Sequence, residues 1–478
     1  MKLFLIWAAN RSEISGLIDG LQQDGHEILY WVGTQASEEE VPQGTVFHSH
    51  IDAWDGLPAK NVDVYDFPPP SKALIDSMHR TESLVLTMMN KRFDTDCVDK
   101  RRHRYYIMLQ YWHGLLEKHK PDAIIFPTVP HTVYNYILYA LAKRAGIKTI
   151  MFEDSWVSDR LLTYCDWEQG SPLLQEKIAL YDHTTIQSED LSRDIGDYYQ
   201  KQTDSTVDST PIYMTHWKKQ FTGVKPFIKK IKKLIKSILD GSIIQRGPRY
   251  FVKQFKPNLE KEYARVVELH PDLDHAYVYV PLNFQPERTT SPQGDIFVDQ
   301  TLMIETLAAS LPKGWRVYVK EHPSQWWLRS GTAYSSNRYP GYYKQLAQIP
   351  RVQLVPIHMN SFTLSEKAKA VATVTGTAGW EATIRKKPVL IFGYPWYRDF
   401  PKLFRIADVE SCKAALRSIA DGFSVTEQDV LRFLKAFDDA TVHAYVEGFV
   451  DKISELSFEE SMAELTGIIV GELKASDL

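Results

Sequence analysis

Four short runs of the chain carry side chains suited to holding or moving a charged group. The first, Thr375-Gly376-Thr377-Ala378-Gly379-Trp380-Glu381, follows a β-branched run and leads into a helix-like pattern. Small residues there let a ligand approach backbone N–H groups, and the first turn of a helix offers unpaired donors and a partial positive charge. A phosphate suits such a place. The alternative is a strand-to-helix turn in which Thr377 caps the helix, and capping does not exclude anion binding. Glu381, early in that helix, is placed to accept hydrogen bonds from ribose hydroxyls. The second run, Lys320-Glu321-His322-Pro323, closes an alternating strand. Pro323 cannot continue the ladder, so Lys320 and His322 project at a sheet edge, where they can meet phosphate or sugar hydroxyls. The alternative there is a strand-end histidine satisfied by backbone. Together the two runs suggest a nucleotide-sugar site.

The third run, Pro281-Leu282-Asn283-Phe284-Gln285-Pro286-Glu287-Arg288, gathers Gln285, Glu287 and Arg288 into a loop after a strand, a place where functional residues concentrate. An exposed polar turn broken by Pro286 is the alternative. The fourth, Ile150-Met151-Phe152-Glu153-Asp154-Ser155-Trp156, ends an apolar strand on two adjacent carboxylates. A carboxylate can serve as a nucleophile in glycosyl transfer with retention, or as a general base in any transfer. Side chains alternate across a strand, so one of the two can enter a cleft while the other braces the structure. A helix cap or surface acid pair is the plainer reading. Asp94-Thr95-Asp96 has the spacing of a divalent-metal motif, but it lies in a charged stretch where solvated acids are common, and no metal is expected. His131, at the start of a helix past a strand end, either faces a cleft or has a capping or packing role.

The elements that must position these residues alternate in period. Residues 3–8, 27–32, 122–127 and 148–153 read as strands and 14–23, 104–118 and 131–145 as helices. The second half repeats the grammar with strands at 276–281, 316–320, 352–356, 371–375 and 388–392 and helices at 297–311, 362–369 and 379–385. This is βαβ alternation, which implies parallel sheets covered by helices and ligands bound beyond the carboxyl ends of the strands. The expected fold class is therefore α/β, with two Rossmann-like domains: residues 1–200 and 266–410. Residues 411–478 read as mostly helical, ending in an amphipathic segment at 459–473 that can pack back across the domains.

Between the halves, residues 201–265 contain a basic amphipathic insert. Ile228, Ile231, Ile235 and Ile238 recur at helical spacing and lysines occupy the remaining faces. Residues 217–239 thus have the pattern of a helix lying on an anionic bilayer surface, or of a solvated helix packing one stripe on its own domain.

At 478 residues the chain is too long for one ordinary core. A charged fraction of 24% and a net charge of −4 give no bulk-charge argument for nucleic-acid binding. Cys97, Cys165 and Cys412 lie far apart without metal-ligand spacing, so neither a disulfide framework nor a zinc site is implied, and a reducing cytoplasm is the expected compartment. The N-terminal apolar run soon meets Arg11 and Glu13 and reads as a buried first strand.

Taken in order, Glu153-Asp154, Gln285-Pro286-Glu287, Lys320-Glu321-His322-Pro323, and Thr375 to Glu381 followed by Lys387-Pro388-Val389-Leu390-Ile391-Phe392-Gly393 resemble the capsule polysaccharide biosynthesis family that includes the bacterial β-Kdo transferases. The resemblance covers mainly residues 120–160 and 275–400. It implies a glycosyltransferase-B-type architecture with an interdomain cleft, and transfer of Kdo from CMP-Kdo to a glycan or glycolipid, without a resident cofactor or metal. It places the cytidine nucleotide against His322 and residues 375–381, and a nucleophilic aspartate at Asp154 with Glu153 as supporting acid or base. The family's Glu-Asp-Gly-Phe run reads Glu153-Asp154-Ser155-Trp156 here.

Overall fold

The computed structural model of the chain describes residues 1–34, 40–155, 157–204, 257–327, 333–446, 454 and 456–475. The basic segment 217–239 and Trp156 lie outside the described residues.

The first sheet is built from β1 (Lys2–Ile6), β2 (Glu27–Gly33), β3 (Val46–Ser49), β4 (Ala123–Ile125), β5 (Lys148–Asp154) and β6 (Arg160–Tyr164). The first five are parallel in the order 3-2-1-4-5, and β6 pairs antiparallel with β5. Central strands covered on both faces must be apolar along their length, and β4 is buried at all three positions. That is why β1, β4 and β5 are legible as continuous runs. Strand β6 was not expected. It is reached through a turn in which Ser158 and Asp159 hold φ of 49° and 53°, a conformation that glycine or asparagine usually marks in a sequence.

The second sheet contains β7 (Tyr277–Pro281), β8 (Arg316–Lys320), β9 (Val352–Leu354), β10 (Ala370–Thr373), β11 (Val389–Ile391) and β12 (Phe404–Arg405). All pairings are parallel and the spatial order is β9-β8-β7-β10-β11-β12. Counted from its own first strand this is 3-2-1-4-5-6, the doubly wound order, in which the crossovers reverse direction between β7 and β10 and open a crevice at their carboxyl ends. The expected two Rossmann-like halves are present.

The chain's end returns to the first sheet. Strand β13 (Val442–His443) pairs antiparallel with β6, and the helix Phe458–Lys474 lies against the helix Ser15–Gln23. Met462, Leu465, Ile469 and Leu473 join Leu17, Ile18 and Leu21 in one buried cluster with β1 and β5. A capping box at Ser457 and Glu460 starts this terminal helix, satisfying N–H groups that have no partner within it. The helix Glu427–Ala440 links the halves: it packs on the helix Pro172–Tyr181 while Phe433 and Phe437 meet Trp380 and Trp396 of the second domain. Among the described residues no helix is long and apolar enough to cross a membrane.

Leu465 is fully buried on the returning helix, whereas Gly467 is exposed with open space around it. Leu465→Ala is expected to cost about 2–5 kcal/mol, and Gly467→Ala to gain about 0.5–1 kcal/mol. Urea titration followed by tryptophan fluorescence checks both, with opposite shifts of the midpoint as the expected outcome.

Candidate functional site

The carboxyl ends of β7, β8 and β10 face that of β5 across a cavity of about 300 Å³. On the second-domain side it is walled by Glu287 and Arg288 after β7, Lys320 to Pro323 after β8, and Thr375 to Ala378 with Glu381 after β10; on the other side stand Glu153 and Asp154. Side-chain alternation did not separate the two acids: both line the cavity, because it wraps around the strand's end.

The turn after β10 is a donor-rich concavity. The helix begins at Thr377 rather than at Gly379, with Gly376 in the N-cap position and no side chain capping it. Thr377 is therefore not the cap; it is the first helical residue, and while the Gly376 N–H donates to the Thr373 hydroxyl at 3.1 Å and the Gly379 N–H to the Gly376 carbonyl at 3.0 Å, those of Thr377 and Ala378 are turned to the helix start. Gly376 has no room for a side chain, since a Cβ there would lie 2.8 Å from the Thr373 hydroxyl. At Gly379 a Cβ would come within 2.2 Å of the Tyr397 hydroxyl, which itself donates to the Gly376 carbonyl at 2.6 Å. The Thr375 hydroxyl is buried with no partner in the protein and lies on the cavity wall, as expected of a group reserved for a ligand. Glu381 sits one turn further on. Burial pushes its carboxyl up to about 7, opposed by Arg385.

The segment after β8 is held from behind. Glu321 is fully buried; its carboxylate accepts from Arg338 Nε at 2.8 Å, from the Tyr343 hydroxyl at 2.6 Å and from the His322 N–H at 2.7 Å. Arg338 is itself 1% exposed and also donates to the Asn283 carbonyl at 3.2 Å, tying the loops after β7 and β8 together. His322 Nδ1 accepts from the Ser324 N–H at 3.2 Å, which leaves Nε2 carrying the proton and available as a donor. Burial lowers its pKa to about 4, so the ring is neutral near pH 7. Lys320 is 4% exposed, donates to the Ser361 hydroxyl at 2.8 Å and to the Met359 carbonyl, and is lowered by burial to about 8.

Gln285, expected at the site, is not on the cavity wall. Its amide donates to Thr290 Oγ1 at 2.6 Å, and its backbone exchanges hydrogen bonds with the Gln325 side chain, so it braces the loop that presents Glu287 and Arg288. Arg288 reaches across to Asp154 at 3.8 Å. Glu153 is buried and raised to about 7, chiefly by desolvation, with Arg288 and a hydrogen bond from Gln293 opposing. His131 belongs here too. It walls a small side pocket with Glu153, Asp154, Arg288 and Gln293, and its Nδ1 hydrogen-bonds the Val129 carbonyl at 2.8 Å.

Asp94 and Asp96 do not converge on this site as metal ligands. Asp94 accepts from the Ser336 N–H at 3.1 Å, and Asp96 pairs with Lys100 at 2.7 Å. Among the described residues no cluster of three or more His, Cys, Asp or Glu is placed to hold a metal ion, and the three cysteines are unpaired.

Sequence reasoning missed Arg338 and Tyr343, which follow the motif by some 17 and 22 positions and reach it only through packing. Removing one member of a buried ion pair strands the other. Arg338→Leu is expected to cost about 3–5 kcal/mol, whereas Arg338→Leu combined with Glu321→Leu costs less than Arg338→Leu alone. Denaturant unfolding of both variants measures the difference.

Residues 277–402 match the sequence model of the family described as capsule polysaccharide biosynthesis protein. Two curated relatives align over 140 residues: the capsule polysaccharide modification protein LipA of Neisseria meningitidis serogroup B at 29% identity, and that of serogroup A at 32%. Each alignment spans 28% of this chain and 18% of the relative. Among solved structures, the β-Kdo 2,7 transferase KpsC of Thermosulfurimonas dismutans aligns at 11% identity over 75% of this chain and 89% of its own, with a TM-score of 0.32. The S. aureus MnaA–UDP structure aligns at 11% identity over 95% of both chains with a TM-score of 0.25. The second sheet and its loops, which form the donor-rich wall of the cavity, are thus similar to the capsule polysaccharide biosynthesis family, as their motifs imply.

Proposed function

We propose that this protein is a glycosyltransferase of surface-polysaccharide assembly, capsule or lipopolysaccharide, that moves Kdo from CMP-Kdo to a glycan or glycolipid acceptor with retention. The observation that carries this reading is the opposition, within one cavity, of the Glu153–Asp154 pair and the uncapped turn at Thr375 to Ala378. In this reading the donor's phosphate rests on the N–H groups of Thr377 and Ala378, with the Thr375 hydroxyl and His322 Nε2–H as further donors and Glu381 toward the ribose. These groups favour the charge that gathers on the departing nucleotide.

An oxygen of the Asp154 carboxylate forms a bond to the anomeric carbon while the bond from that carbon to the phosphate oxygen breaks, and CMP leaves with the electron pair. The acceptor hydroxyl then attacks the same carbon, Asp154 is released, and the hydroxyl proton passes to Glu153. Two inversions at one carbon give net retention. No resident cofactor or metal is required in this scheme, so activity is expected to persist in excess chelator. Contacts to phosphate do not select the base, so a panel of CMP-, UDP- and GDP-sugars is the assay that discriminates donors; binding without turnover would point instead to a nucleotide- or glycan-binding scaffold. The protein would work on the cytoplasmic side of the membrane, with residues 217–239 as a candidate contact with anionic lipid.

Incubation with CMP-Kdo in the absence of acceptor is expected to add one sugar to the intact protein, visible by mass spectrometry and lost in Asp154→Ala. An Asp154→Ala variant that keeps full turnover would sink the proposed nucleophile. Glu153 must be unprotonated to receive the proton, and its pKa is held near 7. Turnover is accordingly expected to rise with pH through about 7, and Glu153→Gln to lower kcat about 10²–10⁴-fold while abolishing that limb.

A further inference from the structure

The cavity is acidic. Glu153, Asp154, Glu287 and Glu381 contribute to its lining with Arg288 and Lys320, and Glu321, also at the wall, is paired with Arg338. Lys320 directs its ammonium to Ser361 and the Met359 carbonyl, so it turns toward the sheet's own loops, and His322 is neutral. Arg288 approaches Asp154 to 3.8 Å and keeps 23% of its side chain accessible.

We propose that Arg288 is the specificity-determining residue for a donor sugar that bears a carboxylate on its anomeric carbon, and that it holds this carboxylate beside Asp154. The inference rests on the glycosyl-transfer reading above and adds to it the group that selects the sugar class. A carboxylate nucleophile approaching a carbon that already carries a carboxylate meets like-charge repulsion at a few ångströms, in a cavity where poor solvation makes that repulsion strong. A guanidinium between the two cancels it, and its planar fork matches a carboxylate through two parallel hydrogen bonds.

The geometry provides a place for the ligand's second charge. Arg288 lines both the main cavity and the adjoining side pocket, which Thr128, His131 and Gln293 bound together with Glu153 and Asp154, so the guanidinium is the group there that can offset a further negative charge. That side pocket has about 10 Å³ of free volume, room for one water-sized group, and its walls are mostly polar. An oxygen of the sugar's carboxylate fits this size, while the ring and the phosphate occupy the larger space toward Thr375. A neutral aldose, with hydrogen in that position, would leave the side pocket unfilled and Arg288 without this contact.

The test measures KM for CMP-Kdo and the inhibition constant of CMP for the full-length wild type, Arg288→Gln and Arg288→Lys, with thermal unfolding of all three. The expected result is a KM raised about 10–100-fold in Arg288→Gln, as loss of a charge-assisted pair requires. The inhibition constant of CMP, which has no sugar carboxylate, should move less than about twofold, and Arg288→Lys should recover part of the loss by restoring the charge without the fork. If the wild type turns over CMP-Kdo but KM and the CMP constant rise together, or neither changes, the role of Arg288 is overturned while the transferase reading stands. If the wild type turns over a neutral aldose donor and not CMP-Kdo, both are overturned.

Discussion

A buried carboxylate, Glu321, holds one whole wall of the cavity in place. A charge removed from water must find partners, and here there are three, all from the segment after β8: Arg338, Tyr343 and the N–H of the adjacent His322. Because Arg338 also donates to the Asn283 carbonyl, the same ion pair ties the loop after β7 to the loop after β8. His322 is thereby held with one ring nitrogen spent on Ser324 and the other presented as a donor. The motif's glutamate thus serves the motif's histidine, and its effect on any ligand passes through the backbone it anchors.

The opposite wall follows a different rule. Glu153 and Asp154 are neighbours in sequence and share one cavity, yet burial raises Glu153 to about 7 while Asp154 has the Arg288 guanidinium beside it. Adjacent in sequence, the two carboxyl groups thus sit in unlike environments, one desolvated and one beside a guanidinium. Arg288 and Gln293, both from the segment following β7 in the second domain, oppose the rise that burial imposes on Glu153. Each domain alone would therefore present an incomplete site: the first lacks the cation that conditions its acids, and the second lacks the acids.

The halves are held in register by contacts of ordinary kinds. Arg80 bridges Glu168 of the first domain and Asp295 of the second, Asp94 accepts from the Ser336 N–H, and Trp380 and Trp396 pack on the helix Glu427–Ala440. Asp94 illustrates how a short motif misleads. Its spacing with Asp96 suits a metal, but its carboxylate spans the domains and its neighbour is engaged by Lys100.

Much of the fold is legible in the chain because a strand buried on both faces must be apolar throughout, which made β1, β4, β5, β7, β10 and β11 visible, while β8 showed as an alternating run. The turn at Thr375 to Gly379 was visible for a similar reason, since only small residues tolerate Thr373 and Tyr397 at such short range. Strands β6 and β13 were not, being an antiparallel edge reached through non-glycine residues at positive φ and a two-residue pairing across most of the chain. The sequence by itself determined the periodic pattern, the strand-end positions of Glu153, Asp154, His322 and Thr375, and the residue types able to meet an anion. Only the tertiary structure decided that these ends face one another, that Gln285 turns inward while Arg288 turns toward Asp154, and that Arg338 pairs with Glu321. Side-chain partners across tens or hundreds of residues are chosen by packing and by the need to neutralise buried charge, and no local pattern encodes that choice.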